Sequence, residues 1–218
     1  MSIVWKFRSF TLLIAIIVGV TALADLAAQF RRPAPVLSLT VVSDAQSDDR
    51  VASAKLSSML MPFRSDLKSE YALALASQVL NSEQAVPPDA AQDAVKSSLK
   101  IGPHDSLMWL VLALLQTRNN AADSRATKSL KMSYLTGQNR ADLIPARLGS
   151  VTSRNALTDM DLIDLARGDV RAILTQLPDQ RPALAADYAR ASEAGRRFLR
   201  ETTNLVDPKY LDALTTNK

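Results

Sequence analysis

Few residues of this 218-residue chain have side chains suited to chemistry. The single histidine, His104, stands in Gly102-Pro103-His104-Asp105-Ser106. Histidine, aspartate and serine are the members of a nucleophilic triad. A triad, however, needs its three groups to converge from separate places, with the base between nucleophile and acid. Three consecutive residues cannot do that. The same stretch reads as a polar turn in which Asp105 or Ser106 caps a following helix. One histidine and no cysteine exclude a standard zinc site, a thiolate nucleophile and any disulfide.

Asp159, Asp161 and Asp164, preceded by Thr158, suggest a cation site. A calcium loop also needs a glycine at its sixth position and a closing glutamate, and neither is present. Acidic residues at the start of a helix are equally explained by its macrodipole. Arg167-Gly168-Asp169 has the composition of an adhesion tripeptide but falls within a helical pattern. The six glycines are scattered, so no phosphate-binding loop is formed. No G-x-S-x-G occurs either. The expectation is therefore a protein without catalytic, cofactor-binding or metal-binding residues, and not an enzyme. One charged cluster is left. Arg190, Arg196, Arg197 and Arg200 fall on one predicted late helix. They form either a surface for an anionic partner, such as lipid headgroups or acidic polysaccharide, or a solvated face balanced by Glu193 and Glu201.

The elements that must position these residues are helices. Hydrophobic residues make up 47% of the chain and aromatics only 5%, which leaves alanine and leucine, both strong helix formers, to build the core. A chain this long can bury a core without disulfides or metals. There are 26 basic and 22 acidic residues. Four of the basic ones (Lys6, Arg8, Arg31, Arg32) and one acidic one (Asp25) lie in residues 1–32, leaving 22 and 21 beyond. The remainder is thus nearly neutral, which argues against nucleic-acid binding.

Residues 1–32 read as a targeting segment. Lys6 and Arg8 precede the uncharged run Phe10–Ala24, and a weaker apolar run, Leu26–Phe30, follows Asp25. Taken together, residues 10–30 are long enough for a helix to cross the roughly 30 Å hydrocarbon core as a signal anchor. The short basic N-terminus places that end in the cytoplasm and the rest of the chain outside, in the periplasm. The alternative is a cleaved signal peptide, because Ala22-Leu23-Ala24 is an A-x-A site directly before Asp25. Residues 33–50 read as a linker. Pro33 and Pro35 stiffen it, Val36–Val42 is an extended segment without a partner strand, and Ser43–Arg50 is polar.

Residues 51–218 read as one helical domain, so the expected fold is all-α. Helices are predicted over Val51–Met61, Asp66–Leu80, from Pro88-Asp89 to Gly102, through Leu107–Leu115, and over Ala122–Thr136. Four more are predicted over Arg140–Ser153, Thr158–Leu177, Arg181–Thr203 and from Asp207-Pro208 onward. Expected core faces include Ala90, Ala94, Val95 and Leu99 in the third helix, and Ala126, Leu130, Tyr134 and Leu135 in the fifth. Leu107–Leu115 is apolar on every side and must be buried on every side, as the central helix of the fold.

Ala94–Gly102 and Ser129–Gly137 superimpose at an offset of 35 residues, with lysine, serine and glycine identical. Each glycine is followed by a further helix. A helix–turn–helix period of this length, with Ala90, Ala94, Leu99 and Pro103 ahead of Trp109 and Ala113, resembles the tetratricopeptide-repeat family over roughly residues 66–153. The second copy departs from the pattern, with Gln138 in place of Pro103 and Ile144 in place of Trp109. A single helical bundle is the alternative. The resemblance implies stacked hairpins with a concave surface for a protein partner or peptide, around the Trp109 helix and the Arg140–Ser153 helix. The expected protein is a membrane-anchored interaction module with a protein partner at the membrane. By analogy, such proteins serve envelope assembly and polysaccharide export. Cleavage near Ala24 would instead give a soluble periplasmic binding protein.

Overall fold

The computed structural model describes Phe10, residues 12–15, 18–19, 44–82, 88–119, 124–153 and 155–216. Among the described residues the chain is all α-helical, without a strand. Most of the expected spanning segment 10–30, the extended segment Val36–Val42 and the Ala22–Asp25 cleavage site lie outside the described residues. Those described within it, Phe10, residues 12–15 and 18–19, are helical. No helix among the described residues is long and apolar enough to cross a membrane. The chain packs as two compact units, residues 1–103 and 104–218, divided in the Pro103-His104 turn.

Among the residues of the first unit described from Asp44 onward, three helices pack antiparallel, α1 (Asp44–Leu60), α2 (Ser65–Asn81) and α3 (Asp89–Ile101). Helix α1 starts at Asp44, so residues 44–50, expected to be linker, are helical. Periodicity missed them because they carry no apolar stripe. Asp48 of this stretch accepts a 2.7 Å hydrogen bond from Gln78 of α2. The packing runs on small residues. Ala54, Ala72, Ala76 and Ala91 are all buried, which lets the backbones approach closely. At the other end Ser69 and Ser98 hydroxyls meet at 2.7 Å. The buried stripe of α3 is Ala91, Gln92, Val95, Ser98 and Leu99. Ala90 is exposed and Ala94 only half-buried, contrary to expectation. Alanine is at ease on either face, so three alanines within five residues do not fix the phase.

The second unit begins with the antiparallel pair α4 (Ser106–Asn119) and α5 (Ser124–Thr136). Asp105 caps α4, its Oδ1 accepting from the backbone N–H groups of Leu107 (3.1 Å) and Met108 (3.2 Å). Asp105→Ala should lower stability by about 1 kcal/mol; a denaturant midpoint unchanged within error would contradict this cap. The apolar run of α4 is buried as expected at Met108, Leu110 to Ala113 and Leu115. In α5, Leu130 and Tyr134 are buried, but Leu135 is exposed, against expectation.

A 3-10 turn (Ala141–Leu143) leads into α6 (Ile144–Thr152), and a second (Asn155–Thr158) precedes α7 (Met160–Thr175). Asp159 caps α7 through the Leu162 N–H at 3.1 Å. The expected single helix Arg181–Thr203 is two: α8 (Arg181–Arg190) and α9 (Glu193–Val206), followed by α10 (Pro208–Thr216). The break lies at Ala191-Ser192. Ser192 is extended and caps α9, its side chain accepting from the Gly195 N–H. The Ser192 N–H and hydroxyl both donate to the Thr152 carbonyl at the end of α6, at 3.0 and 2.9 Å. The tertiary acceptor is what stops the helix, and apolar spacing carries no trace of it.

Candidate functional site

The chemically suggestive residues all have structural partners or exposed, isolated positions. His104 is exposed in the turn before α4, while Asp105 is occupied in capping and Ser106 is buried. The Ser106 carbonyl accepts from the Ser133 hydroxyl at 2.7 Å. Asp161 and Asp159 both pair with Lys131 of α5, Asp159 at 3.5 Å, and this hydrogen-bonded contact holds the Lys131 ammonium above the ordinary lysine range. Asp164 pairs with Arg167 at 2.6 Å along the same helix. In Arg167-Gly168-Asp169 the aspartate is buried, so the tripeptide is not displayed.

The strongest electrostatic feature is inside. Arg147 of α6 is 0% exposed. Its Nε donates to the Ser133 hydroxyl at 3.0 Å, one Nη to the Gly137 carbonyl at 2.9 Å, and the other to the Ser133 carbonyl. These carbonyls belong to the last turn and end of α5, whose acceptors have no partner within the helix. The guanidinium therefore closes α5 from within the core, at the end where the macrodipole favours a cation. It also lies over the Tyr134 ring, 4.9 Å from its centroid.

Asp169 of α7 supplies the opposing charge. Burial lifts its carboxyl to about 6, against the pull of Tyr134 and Arg147. Burial, and next Asp169, push the Tyr134 hydroxyl well above the ordinary phenol range. The Tyr134 hydroxyl and Asp169 Oδ2 are both buried without a hydrogen-bond partner among the described residues. Burial also raises Asp187, 3% exposed, which accepts from Arg190 at 2.8 Å.

These interior charges were not anticipated, although the sequence carries their signal. Arg147 continues the stripe Ile144, Leu148, Val151, Asp169 continues Leu162, Ala166, Val170, Ile173, and Asp187 follows Leu184 by three residues. A charged residue in phase with an apolar stripe is a buried charge. None of the three is open to a substrate, so the cluster is suited to positioning helices.

The exposed arginines lie elsewhere, and not on one helix as expected. Arg190 ends α8, while Arg196, Arg197 and Arg200 are on α9. Arg196 Nε donates to the Ala191 carbonyl at 3.0 Å. Arg197 and Arg200 are exposed and form no ion pair with any described residue, Glu193 and Glu201 included. With Glu193, Arg196, Glu201, Asn204 and Leu205 (81% exposed) they make one continuous outward face. On the two helices expected to provide a contact surface, outward residues such as Trp109, Leu114 and Ala146 are half-buried, with Arg140, Asp142 and Ser153 exposed at the ends of the second. Between Ser106 and Thr117, and between Leu143 and Thr152, no residue is fully exposed.

No family model, curated protein or solved structure matches the chain.

Proposed function

We propose that this chain is a membrane-anchored helical scaffold, acting outside the cytoplasm as an interaction module and not as an enzyme. The observation that carries this reading is the repeat. Val95, Ser98 and Leu99 are buried on α3, and their counterparts at the 35-residue offset, Leu130, Ser133 and Tyr134, are buried on α5. Each set lies on the second helix of an antiparallel hairpin. Shared environments, beyond shared letters, support a tetratricopeptide-like arrangement. The basic-flanked apolar run of residues 10–30 supports the anchor. An anchored module searches for its partner near one surface, which raises effective concentration. The outer face of α9, with its unpaired Arg197 and Arg200, is the surface for an acidic protein partner, and envelope assembly or polysaccharide export is the setting by analogy.

Alkaline carbonate extraction and photo-crosslinking of the full chain in native membranes test this. The expected protein stays with the membrane. A photo-reactive residue at position 197 gives one defined adduct, and Arg200→Glu in the same chain strongly reduces it. Release by carbonate, together with a mature N-terminus at Asp25, would favour the cleaved periplasmic protein instead. Loss of the adduct without release would remove the α9 face from the proposal.

A further inference from the structure

In the first unit, Leu56, Met59, Leu60 and Phe63 are all exposed, Phe63 by 89%. Leu56, Met59 and Leu60 are three and four residues apart, which puts them on one side of the α1 C-terminal end, and Phe63 stands in the turn directly after it. Gly102 at the end of α3 sits so close to Ser65 that an added Cβ would lie 3.2 Å from the serine Cβ. The exposed Ile101 is therefore at this same end of the unit.

The charges divide along the unit. Lys55 and Lys100 are exposed at the apolar end and pair with no described acid. Asp66, also there, is held by Arg64 at 2.6 Å. The exposed acids Asp48, Asp49 and Asp89 belong to the opposite end, where α1 and α3 begin and where Arg50 also lies, and the exposed Asp93 farther along α3 is paired with Lys96 at 3.3 Å. We infer that the Leu56–Phe63 end of this unit docks on the surface of a lipid bilayer carrying anionic headgroups, with Phe63 inserted into the interface and Lys55 and Lys100 at headgroup level. An apolar face edged by unpaired cations is the pattern that binds such an interface. A second copy of this chain would bring the same cations together and gain nothing from them.

This inference rests on the anchored reading, because the anchor supplies the bilayer. The chain length allows it. Helix α1 has 17 residues and is about 25 Å long. Residues 31–43 reach at most about 45 Å. The chain can leave the bilayer, reach the start of α1 and bring the far end of α1 back to the surface.

The chain has no cysteine, so single spin labels can be placed cleanly. The full chain, carrying Phe63→Cys, Asp49→Cys or Ile14→Cys, is reconstituted into phosphatidylcholine–phosphatidylglycerol vesicles and collision rates with oxygen and a water-soluble nickel chelate are measured. Met59→Cys gives a second reading at the same end, and circular dichroism checks each fold. At 63 and 59 the oxygen-to-chelate ratio should rise several-fold above that at 49. In phosphatidylcholine alone, or with Lys55→Gln/Lys100→Gln, that excess should fall. A chelate accessibility at 63 and 59 equal to that at 49, or dipolar broadening between copies, overturns the inference. Position 14 reports the anchor separately. Lipid exposure there with water exposure at 63 rejects this docking and keeps the anchor, while the reverse keeps the docking and rejects the anchor.

Discussion

Arg147→Ala should destabilise the second unit by about 3–5 kcal/mol, because three interior hydrogen bonds and a cation acting on the buried Asp169 carboxyl go with it. The loss has two parts. The Ser133 hydroxyl, the Ser133 carbonyl and the Gly137 carbonyl lose their donors in the interior. Asp169, 5% exposed, loses the cation that offsets its desolvation. Asp169→Leu in the same chain should recover about 1–2 kcal/mol, because only the electrostatic part is shared between the two sites. Denaturant unfolding followed through Trp109 fluorescence in a Trp5→Phe background gives each number.

The pH dependence distinguishes this account from simple loss of packing. The Asp169 carboxyl is raised to about 6 in the folded state, above an unfolded value of about 3.9. Between those values the folded state holds more protons than the unfolded one, so stability rises as pH falls. The burial penalty is complete above pH 6 and is relieved toward pH 4. Removing Arg147 raises the carboxyl further, so the variant should be penalised more at pH 7.5 than at pH 5. Burial raises Asp187 as well and acts with the same sign, so Asp169→Asn should flatten the profile only in part. A penalty for Arg147→Ala that does not change with pH would falsify the coupling.

The sequence located most helices because apolar spacing and proline, glycine and asparagine punctuation agree at most boundaries. The pattern fails where a partner outside the helix decides. Helix α1 begins seven residues earlier than Val51, at Asp44, with a polar first stretch tied to α2 by the Asp48–Gln78 hydrogen bond. The α8–α9 break depends on the Thr152 carbonyl, some 40 residues away. Its one local sign is a serine followed by a glutamate, a helix start inside a pattern that otherwise continues. On α5 the apolar spacing puts Leu135 with the core, but the structure exposes it, and a lone exposed leucine is ordinary. The interior charges were legible in phase but masked by composition: arginine and aspartate on amphipathic helices are usually outside. The arginine face of α9 was legible as charge, but the break moved Arg190 to another helix.

The second large effect is at Gly195, and three helical glycines together make the test. A Cβ at Gly195 would lie 2.0 Å from the Thr152 carbonyl oxygen and 2.8 Å from its carbon. That obstacle is backbone, and the same oxygen already accepts two hydrogen bonds from Ser192. Gly195→Ala must therefore push α9 off the end of α6 and weaken the Ser192 cap. The expected loss is about 3 kcal/mol, the upper part of the overpacking range. At Gly149 the Cβ would meet Asp187 Oδ1 at 3.0 Å, a side-chain atom held by Arg190. Gly149→Ala should be milder, about 1 kcal/mol, since the carboxylate can shift and the helix gains from alanine. At Gly168, within α7, nothing lies within 4 Å of the added atom. Gly168→Ala should instead stabilise by about 0.5–1 kcal/mol through the alanine preference of a helix interior. All three substitutions make the same chemical change in helices of one unit, so helix propensity cannot produce the order. If thermal midpoints fall in any order other than 168 above 149 above 195, the seating of α9 against the Thr152 carbonyl is wrong. In that case the kink that divides α8 from α9 would lack its cause.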